Sequence, residues 1–153
     1  LIFVAYNALY INYEYNESEK MISILVFGLS GSGKTTFAKK LTENTTIPHF
    51  NADEIRGLFK DWDFSPEGRL RQVSRMFDLY QRSNKTCVID FICPYDKYRK
   101  DYDITVWMNT ILNSKYKDTD KIFEKPIKVN YEIKDFNYNP IIKEIKNDIF
   151  SKH

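Results

Sequence analysis

Excess charge is what this sequence most lacks: 23 Lys and Arg stand against 21 Asp and Glu, a formal net charge of +2 over 153 residues. Without a strong positive balance there is no bulk attraction to nucleic acid or to an anionic membrane, and neither partner is expected. Cysteine is scarce too, with Cys87 and Cys93 alone. Both fall in what reads as one strand, so at about 3.3 Å per residue they would stand roughly 20 Å apart, beyond the reach of a disulfide. A reducing, cytoplasmic setting is the default for such a chain. Long apolar runs are also missing. The stretch 1–11 is interrupted by Asn7 and carries no Lys or Arg. It reaches about half of the ~20 residues that a bilayer requires, and it reads as neither a membrane span nor a signal peptide. Residues 12–20 are polar and linker-like. Residues 1–20 are therefore expected to be an extension outside the fold, with an added edge strand or dimer contact as the alternative. Residues 21–153 then form one domain, large enough for a sizeable core.

What is present is an alternation of strand and helix patterns, in a chain 42% hydrophobic and 29% charged. Residues 22–27 are a nearly continuous apolar run of β-formers, as in a strand buried on both faces. Further strands are expected over 47–51, 86–92, 104–108 and 129–133. Helical spacing marks 35–43 through Phe37, Ala38 and Leu41, and a short helix starts near Asp53. Ser65-Pro66-Glu67 is an N-cap signal with Pro in the first turn. Leu70, Val73, Phe77 and Tyr80 follow it at helical spacing. Pro140 opens a last helix with the stripe Ile141, Ile142, Ile145 and Ile149. Interleaved strands and helices predict a three-layer α/β/α domain around a mainly parallel sheet.

The strongest signal is Gly28-Leu29-Ser30-Gly31-Ser32-Gly33-Lys34-Thr35, followed by Thr36. It fits the phosphate-loop pattern G-x-x-x-x-G-K-[ST] at every fixed position and sits between a hydrophobic strand and an amphipathic helix. Glycines let successive N–H groups turn around a phosphate, and the helix start adds a positive dipole end. Lys34 would reach the β- and γ-phosphates of ATP, and the Thr35 hydroxyl would ligate Mg²⁺. Asp90, at the end of a hydrophobic strand, could supply the carboxylate of the Mg²⁺ shell. Asn84-Lys85-Thr86-Cys87 lacks the Asp of a guanine-reading Asn-Lys-x-Asp motif, which excludes a guanine-specific switch. A small P-loop NTPase-fold kinase is the economical reading.

The acceptor is expected to be anionic. Of the six arginines, Arg69, Arg71, Arg75 and Arg82 lie on the helix after Pro66. Arg71, Arg75 and Arg82 share one face, where like charges are unfavourable unless an anion offsets them. Anion binding is assigned first to Arg75. A solvated face paired with Glu67 or Asp78 is the plainer alternative.

From the phosphate loop to residue 100 the chain resembles the adenylylsulfate kinase (APS kinase) family. Its Leu29-Ser30 is that family's version of the loop. Asn51-Ala52-Asp53-Glu54-Ile55-Arg56 resembles Asp-Gly-Asp-Asn-(Val/Ile)-Arg, and Phe64-Ser65-Pro66-Glu67-Gly68-Arg69 resembles Phe-Ser-Pro-Glu-Asp-Arg. Phe91-Ile92-Cys93-Pro94-Tyr95 resembles Phe-Ile-Ser-Pro-(Phe/Tyr), with Arg99 on the Arg that follows. The resemblance implies binding of ATP and Mg²⁺, phosphorylation of the 3′-hydroxyl of adenylyl sulfate to give PAPS for sulfate assimilation, and a homodimer. It implies that Asp53 orients or deprotonates the acceptor hydroxyl, with helix capping as its alternative role. It also implies substrate binding by Arg56, Arg69, Arg75 and the segment Phe91, Ile92, Cys93 and Pro94.

The chain departs from the family after residue 100. The Lys-Gly-Leu-Tyr lid element is absent, 109–125 is short, and Phe123-Glu124-Lys125-Pro126 is a remnant of Tyr-Glu-x-Pro. Gly68 stands where the family has Asp, Gln72 where it has Asn, Cys93 where it has Ser, and Asp90 where it has a small or hydroxyl residue. A kinase acting on a nucleic-acid 5′-hydroxyl or another small metabolite, and a non-catalytic ATP-binding module, remain the alternatives.

Overall fold

All the strands among the described residues run in one direction, because a helix returns the chain to the same edge between each consecutive pair. The structure, a computed structural model, describes residues 20–150. The expected extension over 1–20 therefore lies, but for Lys20, outside the described residues. The elements are β1 (Ser23–Phe27), α1 (Lys34–Thr42), β2 (His49–Asn51), α2 (Ala52–Phe59), α3 (Pro66–Ser83), β3 (Cys87–Asp90), α4 (Asp96–Arg99), β4 (Ile104–Met108), α5 (Lys117–Ile122), β5 (Tyr131–Ile133) and α6 (Asn139–Phe150). The sheet order is β2-β3-β1-β4-β5, with every pairing parallel.

Side chains alternate across the sheet, so each strand feeds two cores. On one face Ile24, Val26, Val88, Val106 and Met108 pack on Phe37, Ala38 and Leu41 of α1 and on Ile142, Ile145 and Ile149 of α6. On the other face Leu25, Phe27, Ile89 and Trp107 meet Ile55 of α2 and Val73 and Met76 of α3. The result is the expected three-layer α/β/α arrangement. Ile24, Leu25, Val26 and Phe27 are fully buried, each worth about 1.5–3 kcal/mol of transfer free energy. That anchors the strand which ends at the phosphate loop.

Two expectations need correction. The third strand stops at Asp90 rather than at 92, because the chain turns and Cys93 adopts φ +43°. Cys93 thus lies outside the strand that holds Cys87, and both thiols are free and buried. The inward stripe of α3 is also rotated. Gln72, Val73 and Met76 are buried whereas Leu70 is 44% exposed. At ~100° per residue, Leu70 stands about 120° around the helix from Met76. Gln72 reads as polar, yet its amide is satisfied inside by donating to the Ala52 carbonyl at 3.0 Å.

Candidate active site

The loop after β1 must turn sharply beneath its neighbour strand. Gly28 allows it: a Cβ there would stand 2.7 Å from the Met108 carbonyl oxygen. Gly33 has φ +91° and begins α1 without a side-chain cap, so the helix presents an open N-terminus to a ligand. Ser32 N–H donates to the Leu29 carbonyl at 3.2 Å, and Thr110 Oγ1 donates to the Ser32 carbonyl at 2.7 Å. The Ser32 hydroxyl is buried with no protein partner, an orphan that a phosphate oxygen would satisfy. Lys34 Nζ donates back to the Leu29 carbonyl at 2.9 Å. Burial pulls the Lys34 ammonium below its ordinary value, while the charges of Asp90 and Asp53 oppose that shift.

Strand pairing assembles the polar floor. The registers set Asn51 beside Asp90 and Asp90 beside Val26. The Thr35 hydroxyl donates to Asp90 Oδ2 at 2.9 Å, and Asn51 Nδ2 donates to the same oxygen at 2.9 Å and to Thr35 Oγ1 at 3.0 Å. His49 Nε2 stands 3.2 Å from Asp90 Oδ2. Burial alone would raise the Asp90 carboxyl. The bonds from His49, Asn51 and Thr35 and the charge of Lys34 outweigh it and hold the group below the usual carboxylate range. Hydroxyl and carboxylate oxygens are the donors that Mg²⁺ takes, completed by phosphate oxygens and water. Thr35 and Asp90 fit that role. Among the described residues no group of three or more His, Cys, Asp and Glu could hold a metal ion by itself.

Asn51, rather than Asp53, caps α2: its Oδ1 accepts from the N–H groups of Asp53 at 3.0 Å and Glu54 at 3.1 Å. The Asp53 side chain is thereby left exposed in the first turn of α2, within electrostatic range of Lys34. One amide serves both the helix and the floor. An aspartate at 51 would offer no donor to Asp90 and would set a second carboxylate against it.

Arg56, Arg69, Arg71 and Arg75 converge on the connection between α2 and α3. Arg56 is buried, donates to the carbonyls of Asp61 at 3.0 Å and Asp63 at 3.1 Å, and lies 4.6 Å over the Phe64 ring. Arg69 also stacks on Phe64, at 5.8 Å, and reaches Asp118 Oδ2 of α5 at 3.0 Å. Arg75 donates to Asp61 Oδ2 at 2.8 Å and to Gln72 Oε1 at 2.7 Å. Arg71 bonds to both Asp61 and Asp63. Hydrogen bonds from Arg71 and Arg75 hold the Asp61 carboxyl far below its ordinary value. The carboxylates facing Arg71 and Arg75 are thus Asp61 and Asp63, not Glu67 or Asp78, and α3 carries a paired basic face.

The segment after β3 is a stitched turn. Phe91, Cys93 and Pro94 are buried and Ile92 is half-buried. Arg99 donates to the Cys93 carbonyl at 2.9 Å and the Pro94 carbonyl at 3.1 Å. Its guanidinium lies over both the Phe27 and Phe123 rings, at 4.3 and 4.9 Å, and those two rings stack on each other with centroids 6.4 Å apart. Glu124 N–H donates to the Pro94 carbonyl at 2.8 Å, so 123–124 closes the turn from the other side. Burial pushes the Cys93 thiol up to about 12, which excludes a reactive thiolate there. His49, Asp61 and Thr110 are contributors that the sequence did not reveal, and Asn51 stood out there only as the first residue of the segment that ends at Arg56. For His49 and Thr110 the only local clue was polarity beside a β pattern.

A family model described as adenylylsulphate kinase matches residues 20–130. Among solved structures, the Mycobacterium tuberculosis APS kinase CysC in complex with AMPPNP and APS is 17% identical, with a TM-score of 0.68 over 87% of this chain and 99% of that one. Shikimate kinase from Acinetobacter baumannii in complex with shikimate is 18% identical, with a TM-score of 0.57 over 88% and 96%. A gluconokinase from Sinorhizobium meliloti 1021 is 16% identical, with a TM-score of 0.53 over 88% and 92%. At these identities the likeness is one of fold. No curated protein matches the chain.

Proposed function

Since the chain belongs to the adenylylsulphate kinase family of P-loop kinases, we propose that it transfers the γ-phosphoryl group of ATP to the ribose 3′-hydroxyl of adenylyl sulfate, giving PAPS. The observation that carries this reading is the join between the phosphate loop and the acceptor side. Asn51 ties Thr35 and Asp90 on one hand to the first turn of α2, with Asp53, on the other. The two substrates would then meet over a preorganised floor, and positioning supplies most of the rate in phosphoryl transfer.

In this reading the loop amides of 28–36 and Lys34 hold the β- and γ-phosphates, and Lys34 follows the charge as it shifts to the leaving group. Thr35 and Asp90 are the protein oxygens for Mg²⁺, which when bound neutralises phosphate charge. Asp53 accepts the hydrogen bond of the attacking hydroxyl and takes its proton. Arg56 and Arg69, both over the Phe64 ring, hold the sulfate–phosphate end of the acceptor together with Arg75. The ring supplies a flat partner for a base.

The short segment 109–125, bearing only the small helix α5, favours one second reading: a smaller hydroxylated acceptor that needs less cover. Initial rates of ADP formation separate the two when adenylyl sulfate, shikimate, gluconate and a 5′-hydroxyl oligonucleotide are compared at fixed ATP and Mg²⁺. The proposal expects adenylyl sulfate to give the highest kcat/KM, and Lys34→Ala to lose activity by at least about a hundredfold while staying folded. A higher kcat/KM for another acceptor would move the assignment to that compound, and ATP binding without turnover of any acceptor would leave a binding module.

A further inference from the structure

Ser32 is tied on both sides of its backbone. Its N–H donates to the Leu29 carbonyl at 3.2 Å, within the phosphate loop itself. Its carbonyl accepts from Thr110 Oγ1 at 2.7 Å, a well-formed bond from a residue 78 positions further along the chain. Thr110 follows the end of β4, the strand that pairs directly with β1. A side chain of the neighbouring strand's exit thus reaches across to the backbone of the loop.

The sheet holds that side chain in place. Asn109 N–H donates to the Ile133 carbonyl at 2.8 Å, so the residue before Thr110 is still fastened to β5. Asn109 Nδ2 adds a bond to Glu132 Oε1 at 2.9 Å. Thr110 itself is half-buried, and a β-branched side chain is stiff at its first torsion.

A trans peptide unit is planar, with its C=O and N–H on opposite sides. Fixing the Ser32 carbonyl on Thr110 therefore fixes the direction of the Gly33 N–H, which belongs to the same unit. Among the described residues that N–H donates to no backbone carbonyl. Gly33, at φ +91°, begins α1 without a side-chain cap. Glycine is permissive enough to let the unit turn over, so the direction has to be held from elsewhere. The Ser32 hydroxyl beside it is buried with no protein partner, a second polar group there left uncommitted. We propose that Thr110 is a positioning residue of the phosphate site: its hydroxyl holds the 32–33 peptide so that the Gly33 N–H faces the anion before any nucleotide arrives. This rests on the kinase reading above and deepens it on the side of the triphosphate.

Dissociation constants for ATP and inorganic tripolyphosphate, measured by calorimetry on the parent, Thr110→Val and Thr110→Ser proteins, test it. Thr110→Val keeps the branching of the side chain and removes the hydroxyl. It should weaken both ligands alike by about tenfold, the loss of one hydrogen bond to a charged group, while Thr110→Ser binds as the parent does. On the parent itself, the Gly33 amide proton should move downfield in ¹H–¹⁵N NMR when tripolyphosphate is added. Unaltered binding by Thr110→Val, a loss confined to ATP, or an equal loss in Thr110→Ser would overturn the proposal. So would a Gly33 amide that stays in place while other amides of the loop move. A parent that binds neither ligand would instead overturn the kinase reading, and this inference with it.

Discussion

Asp61 is the residue on which the connection between α2 and α3 turns. Its carboxylate takes the guanidinium groups of Arg71 and Arg75, while its carbonyl takes Arg56. Because its folded-state pKa is depressed by those bonds, it contributes stability above its unfolded value of ~3.9 and loses that contribution as pH falls through the lower folded value. Asp61→Asn should therefore melt below the parent at pH 7, and the gap should close as the pH is lowered from about 4 toward 2. Thermal denaturation at several pH values checks this, and a gap constant across that range would mean that the charge of Asp61 is irrelevant. Asp90 carries the same sign: its depressed carboxyl stabilises the floor at neutral pH and ceases to do so in acid.

At the scale of elements, Gly68 explains one departure from the family pattern. It sits in the first turn of α3 under the connection from α2, and a Cβ there would overlap the carbonyl of Asp63. That carbonyl is also an acceptor for Arg56. Gly68→Ala should cost about 1–3 kcal/mol by overpacking and loosen Arg56 with it, whereas an ordinary helical Gly→Ala change stabilises. Chemical denaturation distinguishes the two signs. The elements themselves were largely legible. β4 runs over the expected residues because a run of β-formers, Ile104-Thr105-Val106-Trp107-Met108, is bounded by Asp103 and Asn109. The end of β3 was not legible, since Phe91 and Cys93 stay buried in a turn that Arg99 holds through two carbonyls, and apolar pattern reads the same in a turn as in a strand. The face of α3 was misjudged at Leu70 because Gln72 buries an amide with a partner on another helix.

In the whole molecule, the central position of β1 puts the phosphate loop between two neighbours, β3 and β4. That single fact sets Asp90 and Asn51 on one side of the loop and Ile111 and Phe136 on the other. The loop was legible because its residues are contiguous. His49, Asn51 and Asp90 come from two strands 39 residues or more apart in sequence, so their meeting depends on parallel register and left no local mark. The Asp61 pairings, reaching 10 and 14 residues along the chain, were hidden for the same reason. The most direct test is ³¹P NMR of the protein turning over ATP, Mg²⁺ and adenylyl sulfate. A 3′-phosphomonoester signal belonging to PAPS should grow as the γ-phosphorus signal of ATP declines, with some inorganic phosphate from water admitted by the short 109–125 segment. Loss of the γ-phosphorus signal to inorganic phosphate alone, with adenylyl sulfate untouched, would contradict the assignment of the acceptor.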